Sequence, residues 1–117
     1  VNHLDVSIQL TLFNQILKNF VQNAIKFTPN EKSIAIRLRK TKEKIIITVT
    51  DEGIGIPENV DLFAPFKRIG NQSGVGLGLF LAKNAADALR AKITLVNRDD
   101  DKTGCIAKLV LNHTSKV

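Results

Sequence analysis

The sequence predicts an α+β fold, a two-layer α/β sandwich with helices laid on one side of a mostly antiparallel sheet. Three observations carry this reading. One apolar stripe at helical spacing runs through residues 5–27. Four apolar runs of strand length come as two consecutive pairs, each joined by a short polar connection, which suits antiparallel hairpins. Between the pairs lies a stretch, positions 53–78, holding six of the seven glycines, and a second amphipathic helix follows it.

In the first helix, Phe13, Ile16, Leu17, Phe20, Val21, Ala24 and Phe27 recur at i, i+3, i+4 and i+7, so they form one buried stripe. Thr28, Pro29 and Asn30 end it, because proline disfavours a helical residue before it. Residues 33–39 alternate Ile34, Ile36 and Leu38 with Ala35, Arg37 and Arg39, a strand with one wet face. After the charged connection at 40–44 comes a β-branched strand over 44–51, read as central. A helix is predicted over 77–90, with Leu77, Phe80, Leu81, Ala85, Ala88 and Leu89 inward. Strands over 92–98 and 104–112 close the order, joined by the acidic turn Asp99-Asp100-Asp101-Lys102.

At 117 residues, with 44% hydrophobic and 24% charged side chains, the chain is one domain of ordinary globular composition. That excludes a disordered tail, a collagen-like repeat and a disulfide scaffold. Its longest apolar stretch is far short of the roughly 20 residues of a membrane span. The single Cys105 cannot form an internal bridge, which fits a reducing compartment. Seventeen basic against eleven acidic residues leave a net charge of +6, which favours an anionic partner without choosing one. The chain starts at Val1 and has no Met, so it is read as a piece of a longer protein.

Three features could carry chemistry. Asn19 and Asn23 lie one turn apart on one face of the first helix, bordering its apolar stripe, and Lys26 follows on that side. An amide oxygen is a reasonable hard ligand for Mg²⁺, although two solvated amides would look the same. Asp51 ends the apolar row Ile45, Ile47 and Val49, so its carboxylate points inward and needs a partner. The glycines of Gly53-Ile54-Gly55-Ile56 follow at once. A ligand amine such as that of adenine would satisfy Asp51, and so would nearby backbone amides in a capped turn. Gly74-Val75-Gly76-Leu77-Gly78-Leu79 leads into the second helix, where bare amides suit phosphate. Its spacing fits neither a P-loop nor a dinucleotide fingerprint.

Taken together, Asn19-x-x-x-Asn23-Ala24-Ile25-Lys26-Phe27, Asp51-x-Gly53-x-Gly55 and Gly74-x-Gly76-x-Gly78 resemble the N, G1 and G2 boxes of the Bergerat-fold ATPases. Leu62-Phe63-Ala64-Pro65-Phe66-Lys67-Arg68 resembles the F box of sensor histidine kinases, and the wording of residues 23–29 is close to theirs. The resemblance covers about residues 5–112 and treats 1–117 as one catalytic and ATP-binding domain. It implies a mixed, mostly antiparallel sheet of about five strands with about three helices on one face. It implies ATP and Mg²⁺ as cofactors, with Asn23 on the metal, Asn19 beside the phosphates assisting transfer, and Lys26 neutralising them. Phe27 would stack near adenine and Asp51 would accept its amine. Gly53, Gly55 and Ile56 would bring backbone to the base, while Gly74, Gly76, Leu77 and Gly78 would shape the lid and its phosphate end. Arg68 matches a position where the family often carries an arginine on the γ-phosphate.

The implied partners are ATP or ADP, a phosphoacceptor-histidine dimerisation domain of the same protein and a downstream response regulator. No nucleic acid and no direct membrane contact are implied. The domain would be cytoplasmic, in a parent of a kind that is often membrane-bound. Two departures stand out: seven residues separate Phe66 from Gly74, a short lid, and Arg90-Ala91 replaces the usual glycine pair after the second helix. His3 and His113 sit near the two ends, and neither is read as lying in an amphipathic helix with an acid after it, as a phosphoacceptor in this family would. The alternatives are an anti-sigma-factor serine kinase of the same fold, a gyrase or MutL-type ATPase, and a basic nucleic-acid module around residues 37–42. The last would interleave aromatics with its basic residues, and here the phenylalanines fall elsewhere.

Overall fold

The computed structural model describes residues 3–56, 63–64, 78–100 and 102–112. The chain runs α1 (His3–Phe27), β1 (Ile34–Lys40), β2 (Lys44–Asp51), α2 (Gly78–Ala88), β3 (Lys92–Asn97) and β4 (Cys105–Asn112). All six elements read from the sequence are present. α1 begins at His3, so this histidine does open a helix, although Leu4 and not an acid follows it.

The strands form one sheet in the order β1-β2-β4-β3, with every pairing antiparallel. The described residues therefore hold four strands and two helices, where the resemblance implied a mixed sheet of about five and about three. β2 is central, as its β-branched composition predicts. Its register sets Val49 opposite Ala107 and Ile47 opposite Leu109, and Leu109 lies opposite Ile93 of β3. Val49, Ala107, Leu109 and Ile93 face Ile16, Phe20 and Ala24 of α1 and Ala82, Ala85 and Ala86 of α2 across one core.

The stripe of α1 is the predicted one, with Ile16, Phe20 and Ala24 buried and Phe13, Leu17 and Val21 packed against them. That of α2 is rotated from the prediction. Its buried line is Ala82, Ala85 and Ala86, flanked by Leu79 and Leu89, while Leu81 is 42% exposed and Ala88 lies outside. Alanine has almost no side chain to interpose, so an alanine line lets α2 approach α1 closely, and the larger Leu81 is turned out.

β1 also departs from its pattern. Ile36 and Leu38 share a face with the buried Val49 and Ile47 by register, yet they are 57% and 71% exposed. The described helices pack over β2, β4 and β3, and of β1 only Ile34 reaches the core, leaving residues 36–40 wet.

α2 ends without glycine. The Arg90 N–H donates to Asp87 O (3.0 Å) and the Ala91 N–H to Ala86 O (2.8 Å), the paired bonds of a Schellman cap. That cap needs a left-handed residue, and Arg90 takes it with φ of 56°. A side chain costs roughly 1–2 kcal/mol in that region, and glycine nothing. Replacing Arg90 by glycine is therefore expected to stabilise the domain by roughly 0.5–1 kcal/mol after the added unfolded-state entropy. Urea denaturation of both proteins checks it, and a lower midpoint for Arg90→Gly would refute this account of the cap.

Candidate functional site

Asp51 closes β2 on the core side and is only 7% exposed. Its Oδ1 accepts two backbone amides, Gly53 N–H at 2.9 Å and Cys105 N–H at 3.0 Å. The first bond turns the chain sharply after β2. The second ties that turn to the start of β4, 54 residues on. Both bonds land on one oxygen. Of the two partners foreseen for Asp51, backbone capping is thus present, on a single lone-pair centre.

The turn runs tight against α1. A Cβ on Gly53 would lie 2.5 Å from the Phe27 carbonyl oxygen, so only glycine lets the strand end and the helix end meet. Gly55 has φ of +82°, and a Cβ there would lie 2.8 Å from Asn97 Oδ1. Asn97, the last residue of β3, grips the next peptide: its Oδ1 accepts the Ile56 N–H (2.6 Å) and its Nδ2 donates to Ile56 O (3.0 Å). Arg98 Nη1 donates to Asp51 O (3.1 Å). Gly104, at φ +140°, packs against that same carbonyl so closely that any Cβ would collide with it.

Asn97, Arg98, Gly104 and Cys105 therefore belong to the site and were missed by the sequence reading. They stand 41 to 54 residues from what they hold. The one local signal was Gly104 directly before a strand, after an acidic turn.

The other half of the site lies along α1. Asn19 and Asn23 are half-buried at the border of the apolar stripe, as the spacing predicts. Asn19 Nδ2 donates to Gln15 O (2.9 Å), which fixes the amide. Its oxygen faces α2: a Cβ on Gly78, the first residue of that helix, would lie 2.7 Å from Asn19 Oδ1. An amide oxygen on α1 is thus brought to the N-terminus of α2. Lys26 Nζ lies over the Phe27 ring, 5.7 Å from its centroid, with the ring half-buried. Arg68, Gly74, Gly76 and Leu77 lie outside the described residues, and of the F-box stretch Phe63 and Ala64 are described, Phe63 packed on the core.

The acids around Asp51 are committed. Glu52 pairs with Lys102 (2.8 Å) and accepts the Ser33 N–H (3.2 Å), and these contacts hold its carboxyl below the usual range. Asp100 is likewise lowered by its hydrogen bonds from Arg98. The fit to the implied cofactor is good in kind: a buried carboxylate with one oxygen used, glycines at close approaches, and an amide oxygen at a helix N-terminus. Thr28 Oγ1, next to Phe27, is buried without a hydrogen-bond partner among the described residues. The described residues hold no group of three or more His, Cys, Asp or Glu poised on a metal. A metal here would rest on an amide oxygen and on its ligand's own oxygens, which suits Mg²⁺. No described helix is long and apolar enough to cross a membrane.

A family described as histidine kinase-, DNA gyrase B-, and HSP90-like ATPase matches residues 9–114. The sensor protein KdpD of Mycobacterium tuberculosis is 34% identical over 88 residues, 71% of this chain and 10% of that protein. The signal transduction histidine-protein kinase ArlS of Staphylococcus aureus is 35% identical over 88 residues, 69% of this chain and 20% of that protein. The chain thus spans between a tenth and a fifth of these relatives. The solved catalytic domain of histidine kinase ThkA, in a nucleotide-free form, superposes with a TM-score of 0.76 at 32% identity, covering 89% of this chain and 68% of that one. The mycobacterial sensor histidine kinase MprB shares the fold, with a TM-score of 0.79 at 24% identity over 89% of this chain and 72% of that one.

Burial, with the Asp51 carboxylate beside it, pushes the Cys105 thiol up to about 12 from an ordinary 9.0. The folded chain then keeps a proton that the unfolded chain loses near pH 9. The stability tied to that proton is complete below pH 9 and is lost as pH rises toward 12. Between pH 8 and pH 10.5 the wild type is expected to lose more stability than Cys105→Ser, which lacks the group. Denaturant midpoints at both pH values test this, and parallel curves would refute it.

Proposed function

The chain belongs to the histidine kinase-, DNA gyrase B- and HSP90-like ATPase family, within which it is a histidine kinase catalytic domain, and on that premise we propose that it binds Mg-ATP and donates the γ-phosphoryl group to a histidine on a separate dimerisation domain. A response regulator would then take the phosphoryl group from that histidine. The observation that carries the reading is Asp51, a buried carboxylate whose capping bonds fall on Oδ1 and leave Oδ2 for the exocyclic amine of adenine. Gly53, Gly55 and Ile56 bring backbone to the base edge, and Phe27 offers a half-buried ring beside it.

Along α1 the roles change from base to phosphate. Lys26 would neutralise phosphate charge and Asn23 would offer its amide oxygen to Mg²⁺. Asn19, held at the N-terminus of α2 beside Gly78, would orient the transferring group. Gly74, Gly76, Leu77 and Arg68 complete the phosphate side on sequence grounds. Bound Mg²⁺ supplies charge neutralisation on the phosphates. Phosphoryl transfer is accelerated mostly by positioning and charge, which is what these residues can give. The relatives named above are sensor kinases, which favours a histidine acceptor over the serine acceptor of an anti-sigma-factor kinase.

Calorimetric titration of ADP and a non-hydrolysable ATP analogue, with and without Mg²⁺, tests the pocket. Wild type is expected to bind both and to bind more tightly with Mg²⁺. Asp51→Asn keeps the size but exchanges an acceptor for a donor. It is expected to weaken binding roughly 10- to 100-fold, as for a hydrogen bond to a charged group. A wild type that binds nothing at millimolar nucleotide would overturn the proposal.

The 117-residue chain alone is expected to label negligibly with γ-³²P-ATP, because the acceptor would be elsewhere. Stoichiometric transfer into the chain, onto His3, His113 or any other side chain, would contradict the division between the two domains.

A further inference from the structure

We infer that Asn97 is a positioning residue for the base-binding segment, one that sets adenine affinity and adenine-over-guanine preference without touching the nucleotide's phosphates; this rests on the nucleotide-binding reading above. Asn97 makes two hydrogen bonds to the backbone of one residue, accepting from Ile56 N–H at 2.6 Å and donating to Ile56 O at 3.0 Å, across 41 residues of sequence. A carboxamide of this length can do both jobs at once. Aspartate at neutral pH can accept but not donate, and alanine can do neither.

Its reach depends on Gly55. A Cβ there would lie 2.8 Å from Asn97 Oδ1, and the φ of +82° turns the backbone so that the next amide meets the side chain. The other end of the segment is tied down as well, by Cys105 N–H on Asp51 Oδ1 and by Arg98 on Asp51 O. Residues 51–56 are therefore a short span with both ends fastened to the β3–β4 hairpin. Asp51 supplies the acceptor for an amine, and the Gly55–Ile56 backbone flanks it. Discrimination between amine and carbonyl on a purine requires those two features at a fixed spacing, and Asn97 is what fixes the second one. Without it the span is held only at its Asp51-Glu52 end, and the base loses its registered edge.

The test is performed on the full 117-residue chain with Asn97→Ala and Asn97→Asp. ADP, GDP and inorganic tripolyphosphate are titrated with Mg²⁺, and Ile56 amide exchange is followed by NMR without ligand. Wild type is expected to protect the Ile56 amide. Asn97→Ala is expected to lose that protection, to bind ADP about tenfold more weakly and to narrow the ADP-over-GDP ratio, with tripolyphosphate affinity unchanged. Asn97→Asp retains the acceptor for Ile56 N–H and should keep part of the protection while still binding ADP weakly. ADP binding by Asn97→Ala equal to wild type overturns the inference and leaves the nucleotide site standing. An equal loss of ADP and tripolyphosphate, or unfolding of both variants, overturns it in favour of a purely structural asparagine. A wild type that binds no ADP overturns the underlying reading, and this one with it.

Discussion

A buried carboxylate is costly unless it is hydrogen-bonded, and the arrangement around Asp51 follows from that constraint. Its Oδ1 takes the Cys105 amide, which requires the start of β4 to lie directly beside the end of β2. The register supplies this, with Thr50 opposite Ile106 as the last pair. It also forces residue 104 against the Asp51 carbonyl, where no side chain fits, so glycine is required there. The same closeness dries the neighbouring thiol and places it beside a carboxylate, which is why Cys105 resists ionisation. Strand order, one glycine and one perturbed thiol are thus consequences of keeping a single acid buried and still able to accept.

Features set by local periodicity were legible. The α1 stripe, the alternation that turns Asp51 inward and the placement of Asn19 and Asn23 on the stripe's border all follow from spacing alone. Features set by what packs opposite were not. Hydrophobicity turns Leu81 inward, but the line that α2 buries against the core is Ala82, Ala85 and Ala86. Alternation gives β1 one dry face, yet dryness requires a covering element, and the described helices lie over β2, β4 and β3. The loss of glycine at Arg90 was visible as a departure, while its resolution, an arginine accepting the left-handed cap, depends on the cap's two hydrogen bonds. Nothing near Asn97 in the sequence announces Ile56, because a contact across 41 residues leaves no periodic trace.

The resemblance added what spacing could not, since clustered glycines and an inward aspartate fit several chemistries. The structure narrows those alternatives at particular atoms. Gly53 admits the Phe27 carbonyl and Gly55 admits the Asn97 amide, so these two serve the fold of the segment before any ligand arrives. Asn19 donates through Nδ2 to Gln15 O within α1, so one side of that amide already has a partner.

In the proposed nucleotide site, α1 would act as the ruler. From Asn19 to Phe27 the helix rises about 12 Å, the scale of an extended nucleotide from its phosphates to its base. One rigid element therefore sets the distance between the two halves, and its buried stripe of Ile16, Phe20 and Ala24 sets their common rotation. The electrostatics follow the same axis. Glu52, half-buried, and Asp100, exposed, are each paired with a cation of their own, Lys102 and Arg98. Pairing removes most of the repulsion they would exert on an anionic ligand, and it does so without spending the Asp51 carboxylate. On the proposed reading, a net charge of +6 would act over the remaining surface to draw an anion in, while recognition would be left to a few neutral amides and one buried acid.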